Sequence, residues 1–190
     1  MTKKLVLGVT GATGMLTARQ LAHASPFEVA LVASEWGRRV YERECGSFLD
    51  LQRRVGVCFD NRDLTAPIAS GSVETVGMVI APCSANTLAE IACGRGANLI
   101  SRAAHCHLKE QKRLVLCIRE TPLSLIDIEN AKKVSAAGGI IMPISPPFFM
   151  TEGRNPETVS MVELIDLYVD RVLKLFGKTP DRTWEHINGI

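Results

Sequence analysis

The chain lacks an excess of charge of either sign. Its 22 lysines and arginines stand against 20 aspartates and glutamates, for a formal net charge of +2. It has no basic stripe and no interleaving of aromatic with basic residues, which argues against a nucleic-acid surface. No apolar run is long enough to span a bilayer. No secretory h-region is present at the start, where residues 2–9 read as a strand that begins almost at once, so the expected location is the cytoplasm. C-x-x-C pairs are absent too. The six cysteines, at 45, 58, 83, 93, 106 and 117, fall mostly in apolar segments, which points to reduced, buried thiols rather than disulfides. His105-Cys106-His107 supplies metal-binding residue types, but neighbours in sequence point apart on a helix, and no metal is expected. Internal repeats and low-complexity tracts are also missing.

What is present is a regular alternation of elements. At 190 residues the chain fits one domain with a substantial core. Strands are expected at 5–9, 29–33, 76–81, 114–118 and 140–142. Helices are expected at about 15–24, 35–45, 84–93, 99–110, 123–136 and 157–176. Residues 46–72 read as polar and irregular, punctuated by Asp60, Asn61, Pro67 and Gly71, and 143–156 reads as a loop. Alternating strands and helices predict a three-layer α/β domain of Rossmann or flavodoxin type, with a mostly parallel sheet covered on both faces.

Three segments carry chemistry. Leu114–Cys117 is an apolar strand that delivers Arg119 and Glu120 at its C-terminal end, where open α/β sheets bind ligands. A cation beside a carboxylate suits an anionic substrate and a proton transfer; the alternative is a solvated ion pair. Gly8-Val9-Thr10-Gly11-Ala12-Thr13-Gly14 joins a strand to a helix, where free N–H groups and the helix dipole favour phosphate. Its hydroxyls, Thr10 and Thr13, suit phosphate binding or helix capping, and the alternative is a tight turn. No acidic residue ends the second strand; Ser34 lies there, which leaves room for a mononucleotide such as FMN. Ala81-Pro82-Cys83-Ser84-Ala85-Asn86-Thr87 is a second strand-to-helix loop. Ser84 is a good cap, and Asn86 offers the donors and acceptors that a flavin pyrimidine edge requires; simple capping is the alternative.

With these segments in view, the chain resembles the flavin prenyltransferases, the UbiX-like family of the FMN-binding flavoprotein superfamily. The resemblance runs over nearly the whole chain. It rests on G-V-T-G-A-T-G at 8–14, S-G-S-V-E-T-V-G-M-V-I-A-P-C-S at 70–84, R-A-A-H-C-H-L-K-E at 102–110, L-V-L-C-I-R-E-T-P-L at 114–123 and I-E-N at 128–130. It implies an enzyme that joins a dimethylallyl group, from dimethylallyl phosphate or diphosphate, to N5 and C6 of reduced FMN. The prenylated FMN then serves a UbiD-like decarboxylase. It also implies a homododecamer. By resemblance, Gly11, Ala12, Thr13, Ser34, Ser84, Ala85, Asn86, Thr87 and Arg119 bind FMN. Arg102, Lys109 and Arg171 hold the prenyl phosphate, and Phe149 is also in the substrate-binding set. Glu44, Glu120 and Lys109 are catalytic, with the two glutamates in acid–base steps. Trp184 resembles a tail tryptophan near the site. The expected organisation is one flavin-binding domain over 1–176 and a tail, 177–190, at a subunit interface.

The sequence departs from the family pattern in two places. Phe149 stands where the family usually has a tyrosine whose hydroxyl reaches the prenyl phosphate. The segment between Phe149 and Arg171 is longer than usual, and Arg154 within it is a candidate replacement for the lost contact. The Ala85-Asn86 pair looks more like the cysteine decarboxylase branch, whereas Arg119-Glu120-Thr121-Pro122 does not. An FMN-dependent cysteine decarboxylase and a non-catalytic flavin carrier are therefore the rival readings.

Overall fold

Strand β1, Lys4–Val9, is apolar at nearly every position, and so are β2, Glu28–Ala33, β4, Gly77–Cys83, and β5, Leu114–Ile118. Such runs require burial on both faces, as in a parallel sheet. The computed structural model describes residues 4–151 and 154–179 and bears this out. With β3, Val57–Asp60, and β6, Ile140–Ile141, the strands form a six-stranded sheet in the order β3-β2-β1-β4-β5-β6. Each neighbouring pair is parallel.

Alternate side chains feed two cores. Leu5, Leu7, Val9, Leu31, Val79, Val115 and Cys117 face one side. There they pack with α1, Leu16–Ala24, α2, Glu35–Cys45, α3, Phe48–Arg54, and α7, Met161–Lys174. Val6, Ala30, Val32, Met78, Ile80, Leu114 and Leu116 face the other, against α4, Ala85–Ala92, α5, Leu99–Lys109, and α6, Leu125–Ala136. The period of two in a strand thus builds the three layers.

Two expectations need correction. Residues 46–72 are not irregular throughout: they hold α3, the edge strand β3 and a 3-10 turn at Pro67–Ala69. Helix α3 buries only Phe48 and Leu51, and β3 is half-buried, so neither carries a strong periodic signal. The last helix begins at Met161, not near residue 157. Ser160 and Glu163 form a reciprocal cap there, and Pro156–Thr158 is a separate 3-10 turn closed by Asn155. The helix ends at Lys174, ahead of Gly177 at φ 98°. Of the expected tail, residues 180–190, including Trp184, lie outside the described residues. All six cysteines are free; Cys83, Cys106 and Cys117 are buried, while Cys93 is exposed.

Candidate functional site

The sheet order places a switch point between β1 and β4, since the chain leaves β1 toward β2 and leaves β4 toward β5. The crevice at the C-terminal ends of such strands is where parallel sheets receive ligands. The first loop, at 10–15, and the second, at 84–87, flank it. Thr10 ties them together. Its hydroxyl donates to the Pro82 carbonyl at 2.9 Å and accepts the Ser84 N–H at 2.8 Å. The Thr10 N–H also donates to Pro82. The Thr10 hydroxyl therefore serves neither of the roles expected for it, and sequence reasoning missed the tie because its partners lie more than 70 positions away.

Within the first loop Ala12 is buried, while Gly11 and Thr13 are exposed. Gly14 has φ +93°, a conformation that favours glycine. Helix α1 has no side-chain cap of its own. Instead Glu44, near the end of α2, accepts the N–H groups of Gly14 at 2.9 Å and Met15 at 2.8 Å on one oxygen, Oε2. Ser34 caps α2 by accepting the Gly37 N–H at 2.9 Å, and its own N–H donates to the Val9 carbonyl. Helix α2 thus has both ends at the ligand edge of the sheet. Gly37 was not foreseen: a Cβ there would stand 2.4 Å from the Val9 carbonyl oxygen, so α2 seats directly on β1. The Cβ of Trp36 in turn packs against Gly11, and its ring lies 5.0 Å from the Arg39 guanidinium.

In the second loop, the Ser84 hydroxyl accepts the Thr87 N–H at 3.3 Å and lies 3.1 Å from the Thr87 hydroxyl. Ala85 is half-buried, and Asn86 is exposed. Beside them, the Arg119 N–H donates to the Cys83 carbonyl at 3.2 Å, which continues the β4–β5 ladder past an irregularity after Ile80. The Arg119 side chain passes 3.8 Å from where a Gly14 Cβ would be, and its Nε is buried with no partner. Such a donor calls for an acceptor. Glu120 is exposed and accepts the Thr121 N–H at 3.2 Å. Burial pushes the Cys83 thiol well up and Cys117 to about 12, so neither supplies a thiolate to the site.

The remaining candidates lie elsewhere in the chain. Lys109 closes α5, just before the turn that enters β5, whereas Arg119 follows the far end of that strand. Five residues of strand separate the two by about 15 Å. The Lys109 ammonium is 2.5 Å from Glu110, which raises the lysine pKa and lowers the carboxylate's. Arg102, two turns earlier, donates through Nε to the Ala69 carbonyl at 3.2 Å. The Arg171 guanidinium lies 5.8 Å from the Phe149 ring centroid. Arg154, the candidate replacement for the missing hydroxyl, pairs through Nη2 with Glu163 at 2.7 Å, which holds that carboxyl down to about 2. The structure therefore brings together the first loop, Ser34, Glu44, the second loop and Arg119. It does not bring Lys109 to them. A cavity of about 780 Å3 opens at the other edge of the sheet, beside Lys112, Ile140 and Phe176, and no residue of the first or second loop lines it.

Known proteins resemble this chain over nearly its whole length. The Flavoprotein family model covers residues 1–173. Flavin prenyltransferase UbiX of Deinococcus radiodurans is 43% identical over 178 residues, spanning 92% of this chain and 88% of that protein. The crystal structure of AnUbiX in complex with FMN and dimethylallyl pyrophosphate superposes with a TM-score of 0.88 at 36% identity, covering 97% of this chain and 98% of that one. The chain belongs to the UbiX-like flavin prenyltransferase family. A dodecameric FMN-dependent UbiX-like decarboxylase from Escherichia coli O157:H7 superposes at 0.84 with 35% identity, covering 95% of this chain and 98% of that one.

For a UbiX-like chain, the residues at the switch point fit FMN. The unpartnered Arg119 Nε awaits an acceptor, the Thr13 hydroxyl is exposed in the glycine loop, and Asn86 is exposed at the start of α4. Among the described residues, no helix is long and apolar enough to cross a membrane, and no group of three or more metal-binding side chains is present.

Proposed function

We propose that this protein is a flavin prenyltransferase that joins a dimethylallyl group, from dimethylallyl phosphate or diphosphate, to N5 and C6 of reduced FMN. The observation that carries the reading is the buried, unpartnered Arg119 Nε between two loops at the switch point, in a chain of this family. FMN supplies the electron-rich ring that receives the allylic group. Gly11, Ala12, Thr13, Ser34, Ser84, Ala85, Asn86, Thr87 and Arg119 bind it. Arg102, Lys109, Arg119 and Arg171 neutralise the departing phosphate, which leaves with the electron pair of the allylic C–O bond. The proton released on closure at C6 goes to that phosphate or to Glu120. Aromatic faces favour positive charge on the allyl group, and excluded water protects it.

The separation of Lys109 from Arg119 supports a site completed by neighbouring copies. An apolar surface supports the same view. Leu123, Leu125, Ile126 and Ile128 are each at least 45% exposed, directly after Arg119-Glu120-Thr121-Pro122. We take the assembly to be a homododecamer in the cytoplasm, built from one domain over 1–176 with the 177–190 tail at a subunit interface. A UbiD-like decarboxylase would receive the product. The test is a mass spectrum of flavin released after anaerobic incubation of the protein with reduced FMN and dimethylallyl phosphate, then with the diphosphate. A flavin heavier by one C5 unit, less the displaced proton, is expected. Unchanged FMN with both donors overturns the reading.

A further inference from the structure

The loop that leads into β4 lies along helix α5. Its Ala69, Gly71, Val73 and Thr75 are half-buried, while Ser70, Ser72 and Glu74 between them are exposed. The half-buried residues meet a row of donors. The Ala69 carbonyl accepts Arg102 Nε at 3.2 Å and Cys106 Sγ at 3.1 Å. The carbonyls of Gly71 and Val73 both accept from Lys112 Nζ, at 2.7 and 2.9 Å. The Thr75 hydroxyl lies 2.9 Å from His107 Nε2. Lys112 reaches the loop because α5 closes on a left-handed residue. Gln111 has φ 54°, and the Lys112 N–H returns to the His107 carbonyl at 2.8 Å. One ammonium thus clamps both sides of the turn at Ser72, with two of its three N–H bonds in use.

The two cations of α5 assigned above to the prenyl phosphate touch this same loop. Arg102 and Lys109 stand two turns apart and share a face of the helix. Arg102 is held at Nε, which orients the planar guanidinium and leaves its paired Nη groups for phosphate. The Lys109 ammonium is 2.5 Å from Glu110 Oε1, and a Cβ at Gly71 would stand 2.5 Å from that same oxygen, so the loop backbone lies directly against the pair. Side chains already held in place lose less freedom when the anion arrives. We propose that Lys112 is a positioning residue for the prenyl-phosphate site: by clamping the Gly71–Val73 turn onto α5, it fixes the loop that orients Arg102 and Lys109. It lies at the edge of the sheet away from the two flavin loops, so its effect falls on the phosphate and not on the flavin. The inference rests on the prenyltransferase reading above.

Lys112→Met keeps most of the stem and removes the donors, whereas Lys112→Arg keeps donors for both carbonyls. The full chain is loaded with oxidised FMN, which keeps the chemistry from starting, and titrated with dimethylallyl phosphate by calorimetry. Lys112→Met should bind the phosphate about tenfold more weakly than the parent and bind FMN equally well, and Lys112→Arg should recover most of the loss. Amide exchange over residues 71–75 should be faster in Lys112→Met and parent-like in Lys112→Arg. With reduced FMN, Lys112→Met should raise KM for the phosphate by a similar factor and leave kcat nearly unchanged. The proposal is overturned if Lys112→Met binds dimethylallyl phosphate like the parent, whatever its exchange shows. It is also overturned if FMN affinity falls along with phosphate affinity, which marks a general loosening of the fold. A parent that binds the phosphate but forms no prenylated flavin sinks the prenyltransferase reading, and the titration still decides the role of Lys112. A parent that binds no dimethylallyl phosphate sinks both.

Discussion

Thr10 and Ser84 are joined across the switch point: the Ser84 N–H donates to the Thr10 hydroxyl at 2.8 Å, and that hydroxyl donates onward to Pro82 at 2.9 Å. One buried side chain thus fixes the distance between the two loops, so that neither can relax alone. Thr10→Val keeps the shape, leaves the Ser84 N–H unpaired and leaves the Pro82 carbonyl with the backbone N–H of residue 10 alone. It should cost about 1–3 kcal/mol in thermal or denaturant unfolding and weaken FMN binding. Thr10→Ser should restore much of both. Unchanged FMN affinity in the valine variant would count against the tie as a determinant of the site.

Lys109→Ala should weaken binding of the prenyl phosphate by about 1–3 kcal/mol and leave FMN binding nearly intact, because the two groups sit at opposite ends of β5. Glu120→Gln should bind both ligands and slow the chemistry. Anaerobic single-turnover formation of prenylated flavin, with separate titrations of each ligand, checks both. Parent-like turnover in both variants would show these residues to be misassigned.

Phe149 and Arg171 form a cation–π pair with the guanidinium 5.8 Å from the ring. Phe149→Leu should remove about 0.5–1 kcal/mol of orientation for Arg171 and raise KM for the prenyl phosphate more than it lowers kcat. Phe149→Tyr keeps the ring and adds a hydroxyl, so it should preserve or tighten substrate binding. Steady-state kinetics at saturating FMN separate the cases.

Gly37→Ala should push α2 off β1, because the added Cβ meets the Val9 carbonyl oxygen at 2.4 Å and neither backbone can yield cheaply. A loss on the order of 1–3 kcal/mol is expected in denaturant unfolding, together with weaker FMN binding. An alanine variant as stable as the parent would show that α2 has slack.

His107 should make the fold acid-sensitive. Its Nδ1–H donates to the Ala103 carbonyl at 2.7 Å, so the neutral ring accepts the Thr75 hydroxyl at Nε2, 2.9 Å away. Burial lowers its pKa from 6.5, and Lys112 lowers it further. The folded state therefore holds its proton less tightly than the unfolded state does. The stabilisation is full above 6.5 and is lost as pH falls through the depressed folded value. Melting followed from about pH 7 to about pH 5 should show a smaller drop in Tm for His107→Gln than for the parent.

The sequence revealed what local patterns encode. Ser34 at the head of α2, the apolar run of β5 and the glycine-rich turn before α1 each announce themselves within a few residues, and the structure places them as read. Half-buried elements such as α3 and β3 give no such pattern and read as loop. The site was legible as two loops and Arg119. The Thr10 tie and the Glu44 cap were not, because a hydroxyl or carboxylate 29 to 74 residues from its partner leaves no spacing to recognise. The sequence likewise shows no sign that Arg154 pairs with Glu163, nine residues on.

The opposed placement of Lys109 and Arg119 also has a genetic consequence. If neighbouring copies complete each flavin site, a chain bearing Lys109→Ala retains its own flavin seat and spoils another's. Mixed with parent chains, it would act as a partial poison of the assembly. An Arg119→Ala chain would spoil only the seat it carries, and the two defects, brought together in one mixed assembly, would rebuild some working sites that neither population has alone.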